Sequence, residues 1–258
     1  ILAWLTWWGS HKYDPYRPLE SEKAPLTVQV IAEQFKWIFI YPEQNIATVN
    51  ELRFPEQTPV SLRLTSNFTM NSFFIPALSG QIYAMAGMQT HLNILADNTG
   101  EFRGFSSNYS GYGFSQMRFK AHSVTQADFE QWVTAVKAGQ GTTINPQAVQ
   151  KTVLDQAEFA SLRDGNRSQK QIDAMVRNAK TELEKKLAAT ALKEGPYKTQ
   201  PHPVTYYSSV EQGLFESVIN NYMSNYHGAD HSAPVVAGEA PASETHVAVE
   251  HATASQGE

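Results

Sequence analysis

Short segments of alternating apolar and polar residues occupy the first half of this chain, and helical spacing replaces them after residue 122. Leu26–Ile31 alternates and is rich in β-branched residues, and Phe35–Tyr41 is an aromatic run of strand length. Pro42–Asn45 turns the chain. Thr48–Phe54 is a third candidate strand, Pro55–Pro59 a turn, and Val60–Thr65 a fourth strand with clean alternation. Further strands are predicted over 81–84, 89–95, 101–106 and 117–122, with Asn98-Thr99-Gly100 as a turn. About eight short strands at this spacing predict a mainly β protein built as a sandwich. This domain is expected over residues 26–123.

Thr125-Gln126-Ala127-Asp128 then has the form of a capping box, followed at helical spacing by Phe129, Trp132, Val133 and Val136. Gly139-Gln140-Gly141 stops that helix. Residues 142–167 are weakly patterned, with a short helix expected near Pro146–Val153. Ser168 begins a long amphipathic helix with an apolar stripe of Ile172, Met175, Val176, Ala179, Leu183 and Leu187, ended by Gly195-Pro196. A last helix is expected after Ser208, burying Leu214, Phe215, Val218, Ile219 and Tyr222. Residues 124–223 thus read as an α-helical C-terminal extension, and 224–258, without periodicity, as a disordered tail.

The N-terminus breaks the pattern. Ile1–Trp8 is apolar but for Thr6, carries Trp4, Trp7 and Trp8, and gives way to the polar Gly9-Ser10-His11-Lys12. A bilayer span needs about 20 apolar residues, so this is expected to be the stub of a transmembrane helix whose earlier part lies outside the chain. The tryptophans would form an interfacial belt. The competing reading is a buried N-terminal strand. Residues 9–25, with Pro15, Pro18 and Pro25, form a linker.

Composition narrows the chemistry. A net charge of −5 argues against a nucleic-acid footprint, which needs a basic patch. The 258 residues contain no cysteine, which removes disulfides, iron–sulfur clusters, thiolate copper sites and cysteine nucleophiles together. No Ser–His–Asp set, phosphate loop or carboxylate pair stands out. Met70, Met85, Met88 and Met117 could be imagined as thioether ligands, but methionines on strands are usually core filler. His91 and His122 are single residues on strands, and His227, His231, His246 and His251 have no spacing that fixes a geometry. The most suggestive stretch is 67–119. Its Gly-bounded loop Gly104–Gly111 leads into Phe114 and Met117, the layout by which β-sandwich domains assemble a metal site. Here the side chains are hydroxyls, amides and a phenyl ring.

Three blocks, Trp37–Gln44, Met70–Pro76 and Gln81–Thr90, closely resemble subunit II of bacterial bo-type ubiquinol oxidases, in the haem–copper oxidase superfamily. The resemblance covers about residues 1–138 and 203–223, leaving about 140–200 as an apparent insertion. It implies a cupredoxin-like Greek-key β-sandwich carried on membrane helices. In copper-bearing relatives that oxidise cytochrome c, a dinuclear copper centre is held by two His, two Cys, a Met and a backbone carbonyl. Matching motifs puts these ligands at Asn71 and Phe114, Ser106 and Ser110, Met117, and Asn108. Only Met117 keeps the ligand's identity. The resemblance therefore implies a subunit without catalytic, cofactor-binding or metal residues of its own. The haem b, haem o, copper and ubiquinol sites are expected in subunit I of a proton-pumping ubiquinol:oxygen oxidoreductase. The domain would lie on the periplasmic side of the bacterial inner membrane, partnered by subunit I and other subunits and not by cytochrome c. Trp37, Phe39, Tyr41 and Tyr83 are candidates for a subunit interface, with core packing the other reading of Trp37. The alternative is a stand-alone periplasmic cupredoxin-like module that binds a ligand or handles copper. A copper-containing cytochrome c oxidase subunit is excluded by the lack of cysteine.

Overall fold

The computed structural model describes residues 1–228 except positions 15, 18, 20, 22, 112, 165–176, 178–184 and 186–201. Among the described residues, α1 (Leu2–Lys12) is followed by ten strands: β1 (Leu26–Glu33), β2 (Lys36–Tyr41), β3 (Ile46–Val49), β4 (Glu51–Pro55), β5 (Val60–Ser66), β6 (Asn71–Phe74), β7 (Ile82–Ala84), β8 (Thr90–Ile94), β9 (Gly100–Ser106) and β10 (Arg118–Val124). A 3-10 turn, Phe114–Gln116, precedes β10. Then come α2 (Gln126–Lys137), α3 (Gly141–Ile144), β11 (Val149–Leu154), α4 (Gln156–Asp164), β12 (Thr205–Val210) and α5 (Leu214–Gly228). The strands form a seven-stranded sheet, β11-β12-β3-β2-β1-β5-β8, and a five-stranded sheet, β4-β10-β9-β6-β7.

The central strand β2 explains why residues 36–41 read as an unbroken apolar run. Trp37, Phe39 and Tyr41 point into the core between the sheets, while Ile38 and Ile40 point outward beneath α4 and α5. A strand buried on both faces has no polar side to alternate with. The inner core is aromatic: Phe73 stacks on Phe119 at 4.9 Å, and Trp37 meets Phe73 edge-on at 5.1 Å. Such offset and edge contacts are the geometries that ring quadrupoles favour.

Several expectations are corrected. The single strand expected over Thr48–Phe54 is two, one in each sheet, because Asn50 adopts a left-handed backbone with φ 59°. Its side chain fixes the crossover: Oδ1 accepts from the Trp37 amide at 2.9 Å, and Nδ2 donates to the His202 carbonyl at 2.9 Å. Asn tolerates this conformation better than most residues. The short helix expected near Pro146–Val153 is instead strand β11. Ser208 lies within β12, and the last helix starts at Leu214, after the turn at Gly213 (φ 77°). The signal passed over was Thr205-Tyr206-Tyr207, which alternates: Tyr206 joins the inner core and Tyr207 the outer one. The region read as a helical extension therefore also supplies two strands of the larger sheet.

α2 matches its prediction. Thr125 Oγ1 accepts from the Asp128 amide, and Phe129, Trp132, Val133 and Val136 are its buried residues. α1 is helical and buries no residue, so the competing buried strand is not formed. Its helix continues to Lys12, past the expected end at Trp8. Among the described residues no helix is long and apolar enough to cross a membrane. The amphipathic helix expected from Ser168 lies outside the described residues, apart from positions 177 and 185. The expected tail begins within α5, and the rest of it, from 229, is likewise outside them.

Candidate functional site

The loop singled out in the sequence closes one end of the smaller sheet. Strands β6 and β9 pair antiparallel, setting Phe73 opposite Ser106, and the Ser106 amide donates to the Met117 carbonyl at 3.1 Å. With Met117, this arrangement brings four of the six expected positions into direct contact around Ser106. Ser106 Oγ lies 3.2 Å from Asn71 Oδ1 and 3.3 Å from the Asn108 carbonyl, and Asn71 Nδ2 donates to the Thr69 carbonyl at 2.8 Å. Asn71, Ser106, Ser110 and Met117 are all buried. Ser110 Oγ has no hydrogen-bond partner, and Phe114, at the start of the 3-10 turn, packs its ring 5.8 Å from Tyr109. Ser106 thus joins Asn71, Asn108 and Met117, and the Met117 amide donates to the Phe114 carbonyl at 3.0 Å, while the Ser110 hydroxyl stays outside the set.

This donor set does not fit a dinuclear copper centre. Soft copper takes thiolate and imidazole, whereas a serine hydroxyl stays protonated and an amide is a neutral, hard donor. The hydroxyl and amide of Ser106 and Asn71 are already committed to each other and to backbone carbonyls. Met117 supplies one thioether. No step through copper at this loop is therefore derived.

A second polar layer, which sequence reasoning missed, lies on the outer face. Ser107 Oγ is 2.8 Å from both Ser72 Oγ and Gln81 Oε1, and the Ser107 amide donates to the Ser72 carbonyl at 3.0 Å. The adjacent serines Ser106 and Ser107 thus serve opposite faces, as strand geometry requires.

The four aromatic interface candidates divide. Trp37, Phe39 and Tyr41 are fully buried inside this chain, so they are core residues and not an outer surface; Tyr83 alone is available, at 43% exposure. Met70 and Met88 are exposed and Met117 is buried, which spreads the methionines over different environments. His91 bonds Gln89 on an exposed face, and His122 is half-buried, its pKa lowered chiefly by burial.

Two buried charged sites emerge that no motif announced. The Glu51 carboxylate, 1% exposed, accepts from Arg53 Nε at 2.6 Å, Tyr206 OH at 2.6 Å and Asn145 Nδ2 at 2.9 Å. Burial, then the charge of Glu51, raises the Tyr206 pKa. On the outer side of the larger sheet, the ammonium of buried Lys36 donates to the Leu162 carbonyl in the last turn of α4. Burial lowers the Lys36 pKa to about 8, with Glu33 opposing and Lys151 adding to the shift. Nearby, Glu158 is ion-paired with Lys151 and accepts from Tyr207 OH at 2.9 Å.

Comparison with known proteins agrees with the resemblance read from the motif blocks. The family model described as COX Aromatic Rich Motif matches residues 197–225, which contain β12 and the start of α5. The chain is 57% identical over 138 residues to cytochrome bo(3) ubiquinol oxidase subunit 2 of Pseudomonas aeruginosa, a match covering 54% of this chain and 42% of that protein. It is 40% identical over 224 residues to ubiquinol oxidase subunit 2 of Acetobacter aceti, covering 86% of this chain and 58% of that protein. A match of that extent runs across residues 140–200, the stretch read as an insertion. Among solved structures, the periplasmic domain of subunit II of cytochrome oxidase from Bradyrhizobium japonicum matches with a TM-score of 0.44 and 23% identity, covering 46% of this chain and 98% of that one. The chain spans about half the length of the curated relatives it matches.

Proposed function

We propose that this chain is the extramembrane domain of subunit II in a membrane-bound ubiquinol oxidase. It is a cupredoxin-like Greek-key sandwich that holds no copper and takes no electrons from cytochrome c. In this reading the complex oxidises ubiquinol, reduces dioxygen to water and pumps protons, with haem b, haem o and copper in subunit I. This domain caps subunit I on the periplasmic face of the inner membrane and stabilises the assembly. Tyr83 is the one aromatic candidate left for subunit contact, and α1 enters the bilayer with its exposed tryptophans at the headgroup level.

The observation that carries the reading is the Ser106–Asn71 hydrogen bond at 3.2 Å. Two positions that would bear copper ligands in a cytochrome c oxidase relative are here satisfied by each other. A domain built this way keeps the scaffold and replaces the metal with a polar latch. The likeness to ubiquinol oxidase subunits at 57% and 40% identity supports the same assignment.

The test is to purify the protein by affinity from its native membrane in detergent, then record the haem spectrum and ubiquinol-dependent oxygen uptake. Co-purifying b- and o-type haem, with uptake insensitive to added cytochrome c, is the expected result. A haem-free monomer would overturn the assignment and favour a stand-alone cupredoxin-like module.

A further inference from the structure

The outer face of the smaller sheet carries a patch of cations. On β10 Phe119 points into the core, and on β9 Gly104 faces it, so Arg118, Lys120, Arg103 and Phe105 stand on the opposite side of the sheet. Arg103, Arg118 and Lys120 are all exposed. Phe105 meets Phe74 of β6 at 5.5 Å, edge to face, which sets a small apolar area beside the charges. The helices α4 and α5 cover the larger sheet instead.

The β9–β10 register sets Lys120 directly opposite Arg103. Like charges placed opposite each other on a sheet are destabilising, and a bound anion relieves that cost. Glu101 is the one carboxylate on either strand. It is ion-paired with Lys120 at 2.9 Å and also feels the charges of His122 and Arg103. Arg118 donates its Nε to the Ser115 carbonyl at 3.1 Å, a neutral acceptor that leaves the charge unpaired. Three cations therefore share one carboxylate on an uncovered face.

The complementary charge is in the chain itself. All 20 lysines and arginines precede position 229, as do 20 of the 25 aspartates and glutamates. The whole net charge of −5 thus falls in 229–258, on Asp230, Glu239, Glu244, Glu250 and Glu258. Val247-Ala248-Val249 places apolar residues next to Glu250, as Phe105 and Phe74 lie next to the cations. This segment lies outside the described residues and follows α5, which packs on the larger sheet. About thirty residues reach up to about 100 Å when extended, and packed sheets are only about 10 Å apart, so the smaller sheet is within range. Exposed ion pairs are individually weak, but a tether raises the local concentration of a partner to the millimolar range. We infer that the acidic segment 229–258 docks in cis on the outer face of the smaller sheet, its carboxylates meeting Arg103, Arg118 and Lys120. The inference is independent of the proposed oxidase assembly.

The test couples lysines to carboxylates with a water-soluble carbodiimide in the purified full-length chain and maps the products by mass spectrometry. Lys120 should link to Glu239, Glu244 or Glu250 of its own chain more often than Lys137, an exposed lysine at the end of α2. Arg103→Gln/Arg118→Gln keeps both lysines and should lower the ratio of Lys120 to Lys137 products about fivefold, the loss of two exposed ion pairs of ordinary strength. The Lys120–Glu101 link should persist in that variant and reports that β9 and β10 remain paired. The same ratio should fall with salt, as the Debye length shrinks from about 30 Å at ~0.01 M to about 3 Å at ~1 M. Segment links to Lys120 no more frequent than to Lys137, or a ratio unchanged in the variant, would overturn the docking. Mixing chains of natural and heavy nitrogen isotope separates cis from trans. Links that join light to heavy chains would overturn the cis assignment and make this face a contact between copies.

Discussion

Tyr206 donates its hydroxyl to the Glu51 carboxylate at 2.6 Å across 155 residues of sequence, inside a core where Glu51 is 1% exposed. The bond ties β12, within the aromatic-rich segment, to β4 in the opposite sheet. Arg53 and Asn145 complete the set, so one buried carboxylate joins both sheets and the α3–β11 connection. A buried charge is tolerated only when its lone pairs are filled, and each of its donors therefore carries weight.

Tyr206→Phe keeps the ring and removes one charge-assisted bond. The expected loss is about 1.5–3 kcal/mol of unfolding free energy, measured by urea denaturation of the purified chain. Glu51→Leu should cost more, because it leaves the Arg53 guanidinium without its carboxylate. A double-mutant cycle showing no coupling between positions 51 and 206 would contradict the network.

Gly104 faces Phe119 across the β9–β10 pair, and a Cβ added at Gly104 would fall on the Phe119 ring. That ring is stacked on Phe73 and cannot move without disturbing the aromatic core. Gly104→Ala should therefore destabilise by about 1–3 kcal/mol, the usual cost of overpacking. Phe119→Leu in the same background should recover part of the loss. An unchanged urea midpoint in Gly104→Ala would show that the ring has room.

The sequence made β1, β5 and α2 legible because each has a periodic pattern: alternation in the strands, and in α2 a Thr125 cap followed by apolar residues at helical spacing. It failed at β2 in an informative way. A strand covered on both faces shows its aromatics without saying which way they point: Trp37, Phe39 and Tyr41, candidates for a subunit interface from sequence, face the smaller sheet inside the core, while α4 and α5 cover Ile38 and Ile40 on the other side. The break at Asn50 shows in the sequence only as two consecutive polar residues, Asn50 and Glu51, interrupting the alternation, while the sheet change depends on one backbone angle and two side-chain bonds. Motif matching located Asn71, Ser106 and Asn108, yet the Ser106–Asn71 bond comes from the β6–β9 register, which no local pattern encodes. Glu51 and Lys36 had no signal at all, since their burial depends on segments more than 90 residues away in the chain.

Copper gives a direct check on the candidate site. Titrating the purified protein with copper(II) should produce no thiolate-to-copper absorption in the visible and no near-infrared band of a dinuclear centre. The physical reason is the donor set: hydroxyl and amide groups bonded to each other, with Met117 as a single thioether. Tight binding of two copper ions per chain, lost in Asn71→Ala/Ser106→Ala, would refute the argument.

Lys36 sets the alkaline behaviour of the fold. Burial holds its folded pKa at about 8 against 10.5 for the free side chain. Below about pH 8 both folded and unfolded states carry the proton, and the cost of the buried charge is fully present. Between pH 8 and 10.5 the unfolded chain keeps a proton that the folded chain has released, so stability rises with pH through that window. The charged groups facing it do not reverse the sign: Glu33 on the paired strand opposes the shift, while Lys151 on β11 reinforces it. Replacing it by an apolar residue of similar length removes the titration. Urea unfolding of wild type and Lys36→Met at pH values from 7 to 10.5 should therefore give diverging curves. The wild type should gain up to about 3 kcal/mol relative to the variant across the window, from about 1.4 kcal/mol per unit of pKa difference. Tyrosines and the other lysines titrate in both proteins and cancel in the comparison. The offset at pH 7 combines two opposed changes, loss of the bond to the Leu162 carbonyl and removal of a buried charge, so the slope and not the offset carries the prediction. Parallel curves would mean that Lys36 stays protonated to pH 10 in the folded protein, stabilised by Glu33 and the end of α4 more strongly than burial destabilises it.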